Sequence, residues 1–170
     1  VGSGKQRAAA DIRGVFQNFD PDGVVLIPPL TDDSGVLAYL EDHQVPFACI
    51  APRNPRSRIG VMMEETAAVQ ELVEGLVAQG HRRIAHIKGP RAHGACQWRF
   101  AGYRKALDQA GIAYDETLVA EGEFSFESGI GAANQLLDLD EPPTAIFAAN
   151  DGMAAAVSAP PLELSAGGVQ

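Results

Sequence analysis

LVAQGHRRIAHIKGP, residues 76–90, carries the end of a helix, a reversal of the chain and a strand in one short passage. Leading into it, residues 66–79 place Val69, Leu72, Val73, Leu76 and Val77 at spacings of three and four, which predicts a helix with a single apolar stripe. Gly80 stands just past the last periodic residue, where the chain needs a left-handed cap and a Cβ would be penalised. RIAHIKG, residues 83–89, then reads as a strand that stops at Gly89-Pro90. A helix turning this directly into an apolar strand is the building step of an α/β sheet.

The step recurs on both sides. Residues 5–19 set Ala8, Ile12, Val15, Phe16 and Phe19 on an amphipathic helix period, ended by DPDG at residues 20–23. Val24, Val25, Leu26 and Ile27 run on without alternation until Pro28-Pro29, which predicts a strand buried on both faces, as in a parallel sheet. Residues 34–44 give a helix with Val36, Leu37 and Leu40 inward, residues 45–51 a second strand and residues 58–63 a short third one. Downstream, residues 98–111 form a helix through Phe100, Tyr103, Ala106, Leu107 and Ala110, and TLVAEG, residues 117–122, a strand. Residues 128–139 form a helix through Ile130, Ala133, Leu136 and Leu137, and residues 144–149 a strand that runs into Asn150-Asp151. The alternation specifies doubly wound, parallel α/β architecture. Residues 158–170, with Pro160-Pro161 and Gly167-Gly168, break the rhythm and are expected to form an irregular tail.

With 13 basic against 22 acidic residues the 170-residue chain has a formal charge of −9, and its longest basic run is Arg82-Arg83. Such a field repels a phosphate backbone, so the chain itself is not expected to grip nucleic acid. Cys49, in an apolar run, and Cys96, in a polar loop, have no CxxC spacing and read as two reduced thiols. No apolar run approaches the ~18 residues of a membrane span and the N-terminal residues lack a signal-peptide core, which points to the cytoplasm.

Catalytic patterns are missing. VGSGKQ, residues 1–6, has Gln6 where a phosphate loop needs Ser or Thr, no GxSxG elbow occurs, and His43, His81, His86 and His93 form no ligand pair. No cofactor, no metal and no enzymatic activity are expected. Adjacent carboxylates at Asp32-Asp33 and Glu64-Glu65 fit helix starts. In an open α/β sheet ligands bind beyond the carboxyl ends of the strands. There the chain delivers Pro28-Pro29, Pro52-Arg53-Asn54, Glu64-Glu65, Gly89-Pro90, residues 122–124 and Asn150-Asp151, a mixture of carboxylates, amides and an aromatic face suited to a polyhydroxylated small molecule.

Residues 76–90 resemble the effector-binding domain of LacI/GalR-type bacterial transcription regulators, with helix, Gly-His-Arg, strand and Gly-Pro in that order. The likeness continues in RFAGYRKALDQAGI at 99–112, LVAEGEFSFESGIGAANQLL at 118–137, PPTAIFAAND at 142–151 and PDGVVLIPP at 21–29, so it covers residues 5–157. It implies a periplasmic-binding-protein-like fold of two α/β lobes around a cleft, with residues 1–80 in the N-terminal lobe, 81–157 in the C-terminal lobe and 158–170 as the tail. It also implies a small effector, often a sugar or sugar phosphate, that shifts the DNA affinity of a homodimer. By the same resemblance Arg99 reaches the effector, Phe124 lines its pocket and Asn150 hydrogen-bonds its oxygens. Asp151 either joins them or caps the following helix, and Glu64 and Glu65 replace the family's Asp followed by Asn or Asp, with Glu64 a further candidate contact. A helix-turn-helix domain, the first strand-helix-strand of the near lobe and the elements expected beyond Val157 are not recognisable, so an incomplete, weakly stable family member is expected, with operator DNA bound only through a domain outside this sequence. The competing readings are a solute-binding protein of a sugar transport system, which would need an export leader, and an α/β enzyme, for which no nucleophile-base pair can be assembled.

Overall fold

A computed structural model describes residue 14 and residues 18–19, 21–54 and 59–158 of the chain. Its elements alternate: β1 (Val24–Leu26), a 3-10 turn at Leu30–Asp32, α1 (Ser34–Asp42), β2 (Phe47–Ile50), β3 (Ile59–Val61), α2 (Glu65–Ala78), β4 (Ile84–Lys88) and α3 (Gly94–Gln109). A second 3-10 turn at Glu116–Leu118 leads into β5 (Val119–Glu121), followed by α4 (Phe126–Leu137), β6 (Ala145–Ala148) and α5 (Asp151–Ser158). The backbone separates into two compact units. One holds the described residues up to Ala68 with Arg91–Gly102, the other Val69–Pro90 with the described residues from Tyr103 onward.

In the first unit β1, β2 and β3 pair in parallel in that order, with Leu26 opposite Cys49 and Cys49 opposite Gly60. That register row faces a core of Leu26, Val36, Leu37, Leu40 and Cys49, so α1 covers the sheet on this side. Asp33 starts α1 by accepting hydrogen bonds from the Gly35 and Val36 N–H groups at 2.9 and 3.0 Å. The neighbouring rows point the other way. Val25, Ile50, Ile59 and Val61 are exposed, Ile59 by 78%, so β1 is not buried on both faces as its unbroken apolar run suggests. One face of this sheet has a helix packed on it and the other carries apolar side chains in the open.

The second unit shows the doubly buried strand. Its parallel sheet has the order β5-β4-β6, and central β4 buries Ile84, Ala85, His86 and Ile87 almost completely. Ala85, Ile87, Leu118, Ala120, Ala132, Leu136, Ala149 and Met153 form the core. Gly80 has φ +95°, and the N–H of His81 reaches back to the Leu76 carbonyl at 3.1 Å, so the expected C-terminal cap of α2 is present. His86 is a packing residue: its ring stacks on Phe147 with centroids 4.6 Å apart. Three burial expectations fail. Leu72 and Leu137, exposed by 47% and 51%, stand on the flanks of their helices' apolar stripes, and Cys96 lies buried within α3 instead of in a polar loop. Ser158 closes α5 instead of opening the tail, while residues 159–170 and nearly all of the amphipathic segment 5–19 lie outside the described residues.

Tyr103 is fully buried under β4 and donates its hydroxyl to the Ile84 carbonyl at 2.8 Å. Burial disfavours the phenolate and pushes its pKa up to about 12, with Tyr114 and Asp115 adding to the effect. Because the folded value lies above the unfolded one, this contribution is complete below pH ~10 and is lost as pH rises through the folded value. Tyr103→Phe is therefore expected to cost about 1 kcal/mol at pH 7 and to lessen the loss of stability between pH 10 and pH 12, read from urea midpoints across that range.

Candidate functional site

The carboxyl ends of the strands gather the polar groups in each unit. In the first, β1 delivers Thr31 and Asp32, and β2 delivers Arg53. An Asp32 carboxylate oxygen accepts the Arg53 backbone N–H at 2.8 Å. The Arg53 guanidinium donates to the carbonyls of Arg91 and Ala92 at 3.0 and 3.1 Å, which fastens the segment entering α3. Gly94, the first residue of α3, packs close there: a Cβ would touch Arg53 Cα and Asp32 Oδ2 at 3.4 Å each. Thr31 Oγ1 is buried with no hydrogen-bond partner among the described residues.

Arg99 projects from the second turn of α3 and meets Glu65, the first residue of α2. Its Nε and Nη2 donate to the two Glu65 carboxylate oxygens at 2.8 and 3.0 Å, a two-pronged ion pair with the Arg99 side chain 23% and the Glu65 side chain 10% exposed. Next to it, the Thr66 hydroxyl donates to the Trp98 carbonyl at 3.2 Å, so the two helix starts are joined twice. Glu64, the expected contact, is exposed just ahead of α2. The buried partner of Arg99 is Glu65.

In the second unit the turn after β5 carries Phe124 at φ +61°, a left-handed conformation unusual for a bulky side chain. Side-chain hydrogen bonds hold the turn. The Glu123 N–H donates to Ser128 Oγ at 2.9 Å, the Ser128 hydroxyl to the Ser125 carbonyl at 2.9 Å, and Asn150 Nδ2 to the Phe124 carbonyl at 3.0 Å. The other end of the Asn150 amide accepts the Met153 N–H at 3.0 Å, so Asn150 itself fills the capping role that the sequence allowed for Asp151. Asp151 is exposed in the first turn of α5, a favourable place for a negative charge. Lys88 at the end of β4 pairs with Glu121 at the end of β5 at 2.8 Å. Asn150→Asp keeps the cap acceptor but loses the donor to Phe124. It is expected to retain all but about 1 kcal/mol of stability, whereas Asn150→Ala loses about 2, as guanidinium unfolding curves would show.

Glu65, Phe124 and Asn150 thus stand just after strands, as the sequence suggests, while Arg99 lies within α3; the structure brings Arg99 and Glu65 together in one unit and Phe124 and Asn150 together in the other. Neither Thr31 nor the Asp32–Arg53 bond is signalled by any pattern in the sequence. A separate hollow of about 380 Å³ in the second unit, lined by Arg82, Arg83, Tyr103, Tyr114 and Asp115, opens at the opposite, amino end of β4. Its charges are engaged locally: Arg83 binds Asp115 at 3.2 Å and the Glu141 carbonyl at 2.6 Å. Among the described residues no cluster of three His, Cys, Asp or Glu could hold a metal ion, and no helix is long and apolar enough to cross a membrane.

Known proteins resemble this chain in sequence and fold. The transcriptional repressor CytR of Escherichia coli K12 is 44% identical over 94 residues, 55% of this chain and 28% of CytR. The regulator CelR of Thermobifida fusca is 38% identical over 140 residues, 78% of this chain and 39% of CelR. Among solved structures, a complex of the transcriptional regulator CelR with cellobiose superposes with a TM-score of 0.77 at 33% identity, covering 93% of this chain and 48% of that one. A LacI-type regulator from Bacillus cereus superposes with a TM-score of 0.81 at 28% identity, covering 93% and 56%. The chain therefore spans less than half of these curated relatives and about half of the solved chains. The family model for periplasmic binding proteins and the sugar binding domain of the LacI family matches residues 1–163, and it is to this family that the chain belongs.

Proposed function

We propose that this chain is the effector-sensing part of a bacterial LacI-type transcription regulator, that its effector is a sugar or sugar derivative, and that binding modulates DNA affinity through a domain outside this sequence. On this reading the whole protein is cytoplasmic, acts as a homodimer and catalyses no reaction. The observation that carries it is the Phe124–Asn150 turn: a bulky residue held at positive φ by an amide, at the strand edge where α/β proteins bind ligands. An aromatic face of this kind suits the apolar side of a pyranose; taken by itself, the first unit offers the Arg99 fork, a donor group suited to sugar hydroxyls. The relatives are repressors and regulators, one of them in complex with cellobiose, which supports regulation over transport. Asp151 and Glu64, both exposed, are proposed as outer contacts to ligand hydroxyls.

Thermal unfolding of the chain with a panel of mono- and disaccharides tests the reading. A true effector at about 100 times its Kd adds about 2.7 kcal/mol, a rise of several degrees. A panel that leaves the transition unmoved while the chain unfolds cooperatively would contradict it.

A further inference from the structure

We infer that the effector is an uncharged sugar, and that Glu65 sets this preference by neutralising Arg99. The inference rests on the sugar-sensing reading above and names the chemical class that the same site accepts.

An arginine at a ligand site ordinarily favours anions, because a guanidinium binds phosphate or carboxylate through two parallel hydrogen bonds. Here that geometry is already used within the chain. Glu65 occupies the Nε and Nη2 positions of Arg99 at 2.8 and 3.0 Å, and its carboxylate is nearly buried. A phosphate or uronate approaching Arg99 meets the Glu65 charge at the same place and must either displace it, leaving a carboxylate unpaired out of water, or tolerate it at close range. A hydroxyl has no such conflict, since it can donate to the carboxylate and accept from the guanidinium. The second unit's strand edge repeats the pattern, with Lys88 paired to Glu121 and the exposed carboxylates of Glu123 and Asp151 nearby in sequence. Arg53 adds positive charge to the first unit's edge, but its Nη2 is turned onto the carbonyls of Arg91 and Ala92, and the carboxylates of Asp32, Glu64 and Glu65 accompany it there. The chain's overall charge of −9 acts in the same direction.

The test is isothermal titration of the whole chain with matched pairs: glucose, galactose and cellobiose, each against its 6-phosphate, and glucose against glucuronate. The expected result is that the sugar bound best is neutral, at least about tenfold tighter than its phosphorylated or carboxylated partner, with an affinity that changes less than about twofold between low and high salt. In Glu65→Gln the preference is expected to shrink by about tenfold or more because Arg99 regains a net charge. The ratio in the unaltered chain decides even if that variant fails to fold. Tighter binding of a 6-phosphate or uronate overturns the charge inference and leaves sugar sensing standing, whereas no heat with any member overturns both.

Discussion

Arg99→Ala is expected to abolish the response to the effector and to destabilise the chain by about 2–3 kcal/mol, a double effect that a surface arginine would not produce. The stability loss comes from Glu65. Its side chain is 10% exposed and its carboxylate receives two charged hydrogen bonds from Arg99; without them a nearly buried anion loses its counter-charge. The loss falls below the ~3–5 kcal/mol of a wholly buried pair because the Arg99 side chain keeps 23% of its surface in water. Adding Glu65→Gln to Arg99→Ala removes the stranded charge, so the double variant is expected to regain most of the lost stability while still failing to bind. Denaturant midpoints for the four proteins of the cycle, with titrations alongside, separate the two roles. Additive stability losses would mean that the pair contributes nothing, and restored binding in the double variant would remove Arg99 from the site.

Gly129→Val is expected to cost more than about 3 kcal/mol and to lower the melting temperature by about 10 °C. Intrinsic propensity argues the opposite way, since glycine inside a helix is about 1 kcal/mol worse than alanine. Packing overrides it. A Cβ at Gly129 would lie 2.7 Å from Ala156 Cβ and 2.8 Å from Met153 Cα, so α4 rests directly on the backbone of α5, and Met153 is fully buried. The α5 backbone cannot yield without shifting Asn150, its cap, and with it the Phe124 turn. Gly131, on another face of the same helix, has nothing within 4 Å of where a Cβ would stand, and Gly131→Ala is expected to stabilise by up to about 1 kcal/mol. Calorimetry of the two variants should show opposite signs; a Gly129→Val melting point within about 2 °C of the parent's would show that the helices separate at little cost.

Local periodicity makes most of the elements legible. The Gly80 cap, the existence of the central strand β4 and the Tyr103 stripe of α3 follow from spacing alone, because each depends on residues a few positions apart. What spacing cannot convey is which side of an element finds a neighbour. Val24–Ile27 is an unbroken apolar run and Ile84–Ile87 contains a histidine, yet β1 leaves Val25 exposed, with Ile27 exposed just beyond it, while β4 is flanked by strands on both sides and buried on both faces. The candidate site divides in the same manner. Position after a strand is enough to pick out Glu65, Phe124 and Asn150, and the family resemblance names Arg99, but the partners that define them lie far away in sequence: Glu65 and Arg99 are 34 residues apart, Phe124 and Asn150 are 26 apart. No glycine at 124 announces the positive φ, and nothing near Asn150 in sequence reveals that its amide supports a carbonyl of another loop.

The most direct measurement is the backbone amide spectrum of the isotopically labelled chain during titration with the best-bound neutral sugar of the panel. Saturable shifts are expected at strand-end amides: Gly122 through Ser125 and Asn150 through Met153 in the second unit, or those around Thr31, Arg53, Glu65 and Arg99 in the first. Saturable shifts confined to the opposite ends, around Arg83, Tyr114 and Asp115, would contradict the account, as would a spectrum that no sugar changes.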